Sequence, residues 1–443
     1  MLCPKPDLKV YQERLKTIDP IQTWGRVSRL VGFTLESQGP PAEVGEICLL
    51  TSAAGGYTQA EVVGFRDRHL LLMPIGDLAG IAPGTRVVST GMPLTVRVGP
   101  ELKGRVLDGL GYPMDEGPPL TGGTTYSLKA QAPHPLRRQR ITEPLELGIK
   151  VVDGLLTCGK GQRLGIFAGS GVGKSTMLGM IAKNTAADIN VVALIGERGR
   201  EVREFLEESL GSEGLARTVL VVATSDQPPL IRVKGAFVAL SIAEYFRDQG
   251  LDVLFMMDSI TRFAMAQREI GLATGEPPTT KGYTPSVFAL LPQLLERAGA
   301  AEYGTITGLF TVLVDGDDLM DPIADATRSI LDGHIVLTRR LASLNHYPAV
   351  DVLQSVSRVM PDVVKESQLQ LSQKAREVLA VYQEAEDLIN VGAYVAGSNP
   401  SIDRARSLIG PLRTFLKQDV NETFSMAETR HLLAQALGET GEE

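Results

Sequence analysis

The stretch LGIFAGSGVGKST, residues 164–176, restricts the possible folds more than any other part of this 443-residue chain. Its apolar half predicts a buried strand, and the glycines predict a turn from which a helix starts. Backbone N–H groups in such a turn, with the positive end of the helix dipole, can bind phosphate oxygens. Lys174 can then reach the β- and γ-phosphates, and the Ser175 hydroxyl can ligate magnesium. The stretch therefore predicts a nucleoside triphosphate site.

The phosphate-binding pattern has one departure, because Ala168 stands where the pattern has its first glycine. A small residue is compatible with a tight turn, although the match is weaker. The alternative is a glycine-rich turn without a ligand, which the flanking strand and helix disfavour. The residues expected to contact the nucleotide at this loop are Gly169, Ser170, Gly171, Val172, Gly173, Lys174, Ser175 and Thr176.

Two further predicted strands end in carboxylates. LDVLFMM is followed by Asp258, and NVVALIG is followed by Glu197. The carboxyl ends of parallel strands share one edge of a sheet, so Asp258 can hold magnesium through water and Glu197 can orient an attacking water. Both observations also have a structural alternative. The Asp258 segment could simply cap the N-terminus of the next helix, and Glu197 and Glu201 could simply favour the positive end of the helix that follows them.

The regions around this core differ in pattern. Short β-branched runs between Gly, Pro and Asp predict a closed β-barrel over residues 21–95. Residues 96–360 alternate apolar strands with helical stretches, as in a parallel sheet covered by helices. Residues 361–443 have apolar side chains at helical spacing and predict a helical domain. Residues 1–20 are compatible with an amphipathic helix or a mobile leader.

Composition is that of a soluble globular protein, with 43% hydrophobic and 22% charged residues. The net charge of −8 excludes an overall basic field for binding nucleic acid. Cys3, Cys48 and Cys158 lack metal-ligand spacing and suit a reducing cytoplasm. The start of the chain lacks a signal-peptide pattern, and no apolar run approaches the roughly 18–20 residues of a membrane span. We expect a cytoplasmic protein.

Six motifs spread over nearly the whole chain carry a family resemblance. They are GRVLDGLGYPMD (104–115), EPLELGIKVVDGLLTCGKGQRLGIFAGSGVGKS (143–175), GERGREV (196–202), DSITRFAMAQREIGLATGEPP (258–278), GHIVLTRRLASLNHYPAVDVLQSVSR (333–358) and VGAYVAGSNPSIDRA (391–405). The chain thereby resembles the catalytic subunits of rotary ATPases and their relatives that energise protein export. Within that family it looks most like the flagellum-specific type III export ATPase, with the injectisome secretion ATPase as a close relative.

The resemblance implies a fold and a set of site residues. The fold would be an α/β P-loop NTPase (RecA-like) core with an N-terminal β-barrel and a C-terminal helical domain. The cofactors would be ATP and Mg²⁺, with Ser175, Asp258 and Glu201 as candidate magnesium ligands. Lys174 would bind phosphate, Glu197 would position the attacking water, and Arg198 would touch the γ-phosphate.

Two further carried-over residues lie in the motif 333–358, far in sequence from Lys174 and Glu197. Tyr347, in NHYPAVD, resembles a tyrosine that stacks against adenine; a tyrosine with a buried apolar body and a wet hydroxyl is the alternative. Arg358, in QSVSRV, resembles an arginine finger presented to the nucleotide of a neighbouring subunit. Because Glu197 and Arg358 lie on one chain, identical subunits could complete each other's sites, which favours a homohexamer. An exposed arginine in a weak salt bridge is the alternative.

The resemblance also implies partners: a central stalk protein, a regulator, the export gate, export substrates and their chaperones, with peripheral contact to the inner face of the cytoplasmic membrane. The C-terminal helices could grip a stalk, complete the subunit core, or both. The Pro/Gly-rich stretch GLATGEPPTTKGYTPS could line a ring interface or act as a connector.

Other classes of function predict different features. An ATP synthase catalytic subunit would rely on a different subunit for its arginine finger. A Rho-like RNA translocase would need a barrel with aromatic and basic side chains on its surface; this barrel has Trp24, Phe33, Tyr57 and Phe65 amid mixed charges. A purely structural nucleotide-binding subunit would lack a water-positioning acid, whereas Glu197 is present. We therefore expect an ATPase that energises protein export and binds no nucleic acid.

Overall fold

The computed structural model describes residues 23–51, 55–314, 316, 318 and 320–439. The chain divides into two compact units, with the boundary between Leu94 and Thr95. The predicted helix or leader over residues 1–20, and Cys3 with it, lies outside the described residues.

The first unit is a closed barrel of six antiparallel strands in the order β1-β2-β5-β4-β3-β6. The strands are β1 Trp24–Val31, β2 Thr34–Gln38, β3 Glu46–Thr51, β4 Tyr57–Arg66, β5 His69–Pro74 and β6 Arg86–Pro93. Their inward side chains form a small core of Val27, Leu35, Cys48, Leu50, Ala60, Val62, Leu70, Leu72 and Val87. Closure leaves no free sheet edge, which is how short strands of this kind become stable.

The second unit is built on a nine-stranded sheet in the order β19-β18-β12-β17-β15-β13-β14-β8, with β16 paired to β17. The strands of this unit are β7 Thr95–Val98, β8 Val106–Asp108, β9 Thr124–Ser127, β10 Pro144–Leu145, β11 Cys158–Gly159, β12 Arg163–Ala168, β13 Ile189–Ile195, β14 Thr218–Ala223, β15 Asp252–Asp258, β16 Gly299–Ala300, β17 Thr305–Leu313, β18 Gly333–Leu337 and β19 Val356–Ser357. Strands β8, β12 to β15, β17 and β18 run parallel.

The central strands are apolar along most of their length because both faces of the sheet are covered. In β13 every residue is buried. Helix Pro229–Asp248 begins with two prolines that fit its first turn and packs against β13, β14 and β15. The parallel arrangement places the ends of β12, β13 and β15 at one edge, where the predicted site residues follow.

The α-helices of the second unit have the following bounds: Lys150–Leu155, Lys174–Asn184, Gly199–Glu204, Gly211–Ala216, Pro229–Asp248, Ile260–Thr274, Pro285–Leu295, Pro322–Ile330, Arg339–Ser343, Met360–Val363, Glu366–Asn390, Pro400–Leu416 and Met426–Ala436. A π-helical turn covers Phe205–Leu210, and 3-10 turns cover Pro100–Leu102, Pro135–Arg137 and Thr280–Gly282. The Pro/Gly-rich stretch therefore contains a loop, with one short turn, between two regular helices.

The three last helices pack together and against helix Lys150–Leu155. Leu371, Leu412 and Leu433 belong to the same hydrophobic core as Leu164 of β12 and Leu178 of the helix after the phosphate-binding loop. These C-terminal helices thus complete the subunit core. The expected fold class, a P-loop α/β core with an N-terminal barrel and a helical C-terminal part, is confirmed.

Two further observations concern the chain as a whole. None of the described helices combines the length and apolar character that crossing a membrane requires. Cys48 and Cys158 are buried free thiols, and burial raises the pKa of Cys48 to about 12. Their thiolate forms are therefore scarce at neutral pH.

Candidate nucleotide-binding site

The predicted phosphate-binding loop leaves β12 at Ala168 and turns into helix Lys174–Asn184. Gly171 and Gly173 have φ angles of 78° and 87°, which glycine adopts without strain. No side chain caps the helix, so its first N–H groups are available to an anion. Ala168 is the last strand residue and is fully buried, and a strand residue needs no left-handed φ. The alanine therefore does not disturb the turn.

Lys174 and Asp258 form the centre of the site. The ammonium group of Lys174 pairs with Oδ1 of Asp258, and their side chains are only 11% and 5% exposed. Asp258 ends β15, which is separated from β12 by β17 alone. In β17 the hydroxyl of Thr311 lies 2.7 Å from the same carboxylate oxygen. The sheet thus brings the lysine of the loop and the strand-end carboxylate into contact.

Glu197 follows β13 through Gly196, whose φ is 73°. A Cβ at Gly196 would lie 2.7 Å from Cβ of Arg262, so the close approach of the two segments requires glycine. Oε1 of Glu197 is buried without a hydrogen-bond partner among the described residues. Burial, a proton shared with Glu201 and the charge of Asp258 raise the pKa of Glu197 to about 8. At neutral pH this carboxyl is therefore mostly protonated.

Arg198 and Glu201 lie at the start of helix Gly199–Glu204. The backbone N–H of Arg198 donates to Oε2 of Glu201 at 3.4 Å, and the two side chains form an ion pair at 3.8 Å. The Arg198 side chain is 78% exposed and so can turn toward a ligand. The hydrogen bond from Glu197 lowers the pKa of Glu201. Glu201 therefore carries the negative charge of the glutamate pair.

The carboxylates do not form a dedicated metal cage. No group of three or more His, Cys, Asp or Glu residues suited to hold a metal ion occurs in the described part of the chain. Glu201 contacts Glu197 and Arg198, whereas Asp258 contacts Lys174 and Thr311. Any metal here has to take most of its ligands from phosphate oxygens and water.

Tyr347 lies beside the phosphate-binding loop although it is far away in sequence. A Cβ placed on Gly173 would lie 3.3 Å from the Tyr347 ring. The Tyr347 residue is 41% exposed, so part of its surface is accessible to a ligand. The backbone N–H of Gln418 donates to the Tyr347 carbonyl at 3.0 Å, and the Gln418 side chain accepts from Lys150 N at 2.8 Å. Gln418, which follows helix Pro400–Leu416, thus helps to hold the segment around Tyr347 in place.

Arg358 lies at the opposite edge of the sheet from the phosphate-binding loop, where the parallel strands begin. It follows β19, in which Ser357 pairs with Gly333 at the start of β18. The neighbouring residue His334 pairs with Gly165 of β12. The phosphate-binding loop begins only after Ala168, roughly 13 Å further along the strand. Arg358 is exposed and forms no ion pair with the residues that the structure describes, so it is separated from the loop of its own chain.

Sequence analysis did not identify Thr311 or Gln418. Thr311 is a hydroxyl in the apolar run LFTVLV, next to the strand that ends in Asp258. A lone polar residue near the end of a central strand could have marked it. Gln418 lies in a polar segment without a recognisable pattern, so its contact with Tyr347 could not be read from the sequence.

Three protein-family models together match most of the chain. Residues 148–357 match the nucleotide-binding domain of the ATP synthase alpha/beta family, and residues 27–91 match its beta-barrel domain. Residues 364–435 match the C-terminal domain of the type III secretion ATPase EscN. The three matches follow the barrel, the sheet and the C-terminal helices in order.

Full-length relatives agree with this division. The flagellum-specific ATP synthase of Bacillus subtilis is 54% identical over 96% of this chain and 97% of its own length. The type 3 secretion system ATPase of Xanthomonas euvesicatoria is 51% identical over 98% of both chains. The solved structure of assembled EscN from enteropathogenic E. coli is 46% identical, with a TM-score of 0.89, over 93% of this chain and 100% of that one.

These matches confirm the resemblance inferred from the motifs and decide between the classes of function. Full-length identity of about half with secretion ATPases leaves the Rho-like and purely structural interpretations without support. The matched nucleotide-binding domain and the phosphate-binding loop make ATP the nucleotide that this chain uses. The chain belongs to the family of flagellum-specific and type 3 secretion system ATPases.

Proposed function

We propose that this chain hydrolyses ATP as a homohexameric ring and thereby energises the export of flagellar proteins through a type III apparatus. One observation carries the ring: Lys174, Asp258 and Glu197 lie at one edge of the sheet, whereas Arg358 lies at the opposite edge. In this proposal residues 21–95 are the barrel, 96–360 the ATPase domain and 361–443 the helical domain.

The phosphate-binding loop would bind ATP through backbone N–H groups of residues 169–173 and through the hydroxyls of Ser175 and Thr176, both of which are exposed. Lys174 exchanges its partner Asp258 for phosphate oxygens when the nucleotide enters. Tyr347 stacks one face on adenine, because its ring lies against Gly173 and remains partly exposed.

Glu197 would orient the attacking water. Its buried oxygen Oε1 has no hydrogen-bond partner among the residues that the structure describes, which leaves it available to a water molecule. The carboxyl must lose the proton it shares with Glu201 before it can accept one from water. Arg198, whose side chain is mostly exposed, would bind the γ-phosphate and offset its charge.

The donors at this edge fit magnesium. Ser175 and Asp258 offer hard oxygen ligands beside a phosphate site, which is the chemistry that Mg²⁺ prefers when nucleotide oxygens and waters fill most of its shell. When bound, the ion neutralises charge on the phosphates. Ser175 would hold it directly and Asp258 through water. Glu201 would join only through water, because it is already engaged with Glu197 and Arg198.

Arg358 would act on the nucleotide of the neighbouring subunit. The Arg358 guanidinium is exposed, has no ion pair within the described part of the chain and lies roughly 13 Å from its own loop along the strand. It can meet a second copy of the site only across an interface. There it would stabilise charge that develops on the transferred phosphoryl group. Each interface between identical subunits would then contain one complete site.

The assembly would have further partners. EscN has been solved in complex with its central stalk EscO, and that chain is 45% identical to this one with a TM-score of 0.86. By analogy we propose a central stalk protein for this ring. A regulator, the export gate, export substrates and chaperones would complete the machine, and the ring would sit in the cytoplasm at the inner face of the cytoplasmic membrane.

The experiment that tests the ATPase ring is turnover per chain measured against protein concentration. We expect turnover to rise with concentration and binding of a fluorescent nucleotide to be independent of it, because only hydrolysis needs an interface. Turnover that stays constant over the range in which the oligomeric state changes would contradict the ring.

Secretion through an injectisome is the second candidate, because relatives of both kinds are about half identical to this chain. Expression in a motile bacterium that lacks its own flagellum-specific ATPase separates the two. Restored swimming supports the flagellar assignment. A stable, ATPase-active chain that restores type III secretion but not swimming would favour the injectisome.

A further inference from the structure

Three threonines lie on one face of β17: Thr305, Thr307 and Thr311. Each hydroxyl has a partner within 2.8 Å, but the partners differ. Thr305 donates to Asp252 and Thr307 accepts from the N–H of Gly161, both near the start of the strand. Thr311 lies 2.7 Å from Oδ1 of Asp258. It alone among these three contacts a residue of the predicted site.

The Thr311 hydroxyl has two acceptors within reach and one hydrogen to give. Asp258 Oδ1 is at 2.7 Å and the carbonyl oxygen of Met257 is at 3.2 Å. The shorter contact to an ionised oxygen is the stronger hydrogen bond. Thr311 is fully buried, so water cannot substitute for this donor. The hydroxyl therefore donates to Asp258.

The orientation of the Asp258 carboxylate follows from its donors. Lys174 and Thr311 both bind Oδ1, and no donor from the described residues binds Oδ2. Two donors on one oxygen restrict rotation of the carboxylate about its terminal torsion. Lys174 leaves Asp258 when phosphate binds, according to the proposed function. Thr311 is then the donor that remains.

The position of Thr311 is itself fixed. The N–H of Leu313 donates to the Thr261 hydroxyl at 2.8 Å, and the N–H of Val314 donates to the Ala168 carbonyl at 3.1 Å. The end of β17 is thereby tied to the helix after Asp258 and to the strand before the phosphate-binding loop. A hydroxyl on so constrained a strand is a precise support for a catalytic group.

We propose that Thr311 is a positioning residue, which holds Oδ1 of Asp258 so that Oδ2 serves the magnesium–nucleotide complex. This inference rests on the proposed magnesium site. It differs from a packing role, in which any residue of similar shape would do: valine has the shape of threonine but cannot donate.

The test is the gain in nucleotide affinity that Mg²⁺ produces. The affinity of the full chain for a fluorescent ADP analogue is measured with Mg²⁺ and with EDTA, for the wild type and for Thr311→Val. We expect the Mg²⁺-dependent gain to fall about tenfold in Thr311→Val, while affinity in EDTA stays unchanged. Thr311→Ser retains the donor and should restore the gain.

The matched control is Thr307→Val, on the same strand and equally buried, whose hydroxyl serves only the backbone of Gly161. It should leave the Mg²⁺-dependent gain intact. Thr311→Ala, which adds no apolar volume, serves if Thr311→Val does not fold. An undiminished gain in a folded Thr311→Val or Thr311→Ala protein would overturn the inference. Absence of any gain in the wild type would instead overturn the proposed magnesium site.

Discussion

The polar groups at the amino-terminal edge of the central sheet, where the parallel strands begin, have different partners from those at the carboxyl-terminal edge, where the strands end. At the amino-terminal edge, Arg163 pairs with Asp332 and Glu296, and Thr307 accepts from the backbone. At the carboxyl-terminal edge, Glu197 shares a proton with Glu201 instead of pairing with an arginine, and its Oε1 is buried without a hydrogen-bond partner among the described residues. Buried atoms without a partner in the described part of the chain also occur toward the amino-terminal edge, such as Oδ1 of Asn190, so the contrast lies in the acidic groups. Buried polar groups cost stability unless they are paired. Oε1 of Glu197 is therefore open to a ligand, whereas Asp332 and Glu296 already pair with Arg163.

Arg358 is the exception at the amino-terminal edge, because its guanidinium is exposed and forms no ion pair within the described part of the chain. Its neighbour Asp332 is already paired with Arg163. An exposed cation that has no ion pair among the described residues is free to contribute to the site of another subunit. Arg163 thus forms ion pairs within the subunit, whereas Glu197 and Arg358 are available to a nucleotide or to a second subunit.

The largest effect is expected from Arg358→Ala. Removing the finger should lower kcat about a thousandfold, because charge on the transferred phosphoryl group loses its partner. Nucleotide affinity at low protein concentration should not change, since no interface forms there. Arg200→Ala is the control, because Arg200 is an exposed arginine whose ion pair, with Glu204, lies within its own helix. Full activity in Arg358→Ala would contradict a catalytic role for Arg358.

Glu197→Gln should lower kcat about a hundredfold or more, because the amide can orient water but cannot accept its proton. ATP binding should persist, since the phosphate-binding loop is untouched. Glu204→Gln, on the adjacent helix, is the matched control and should retain activity. A Glu197→Gln protein with normal turnover would mean that the unpaired oxygen at this edge has no catalytic task.

At the structural edge, Arg163→Met should reduce the free energy of unfolding by about 1–3 kcal/mol while kcat changes little, because Asp332 and Glu296 lose their shared partner. Chemical denaturation followed by circular dichroism at the helix band reports on this unit, since the helices lie there. Arg203→Met, in the same unit, breaks an ion pair with Glu207 whose two side chains are mostly exposed, and it should reduce the free energy of unfolding much less. Equal losses of unfolding free energy in the two variants would contradict a structural role for the Arg163 ion pairs.

The smallest effect concerns pH. Glu201 raises the pKa of Glu197 by sharing a proton with it and by its charge. Activity requires ionised Glu197, so it should rise with pH on the acid limb of the rate profile. Glu201→Gln removes the charge and should move that limb to lower pH. A pH–rate profile of kcat measures the shift. A limb that stays in place, or moves to higher pH, would show that Glu197 is not the titrating group.

Much of the fold was accessible from sequence because the strands of the sheet are buried on both faces. Continuous apolar runs such as INVVALI mark them, and the glycines after β12 mark the phosphate-binding loop. Alternating short strands with turn residues predicted a closed barrel, but the strand order β1-β2-β5-β4-β3-β6 needed the structure. Local pattern was sufficient where local chemistry decides the conformation.

The site was accessible only in part, because its geometry depends on strand order. Sequence placed Asp258 and Glu197 at strand ends but could not show that β17 lies between β12 and β15, which brings Thr311 to Asp258. It also could not show that Glu201 is bound to Glu197 rather than beside Asp258. The contacts of Tyr347 with Gly173 and Gln418 join three distant segments. No local pattern encodes such contacts.

The most direct test of a shared site is to mix Glu197→Gln with Arg358→Ala protein, allow the subunits to exchange and measure ATPase activity. Each variant alone should be nearly inactive. In random mixed rings about a quarter of the interfaces combine an intact Glu197 with an intact Arg358, so activity should recover toward that fraction. Mixtures of either variant with the double variant should stay inactive. Mixed rings without recovered activity would contradict the claim that Arg358 serves the neighbouring subunit.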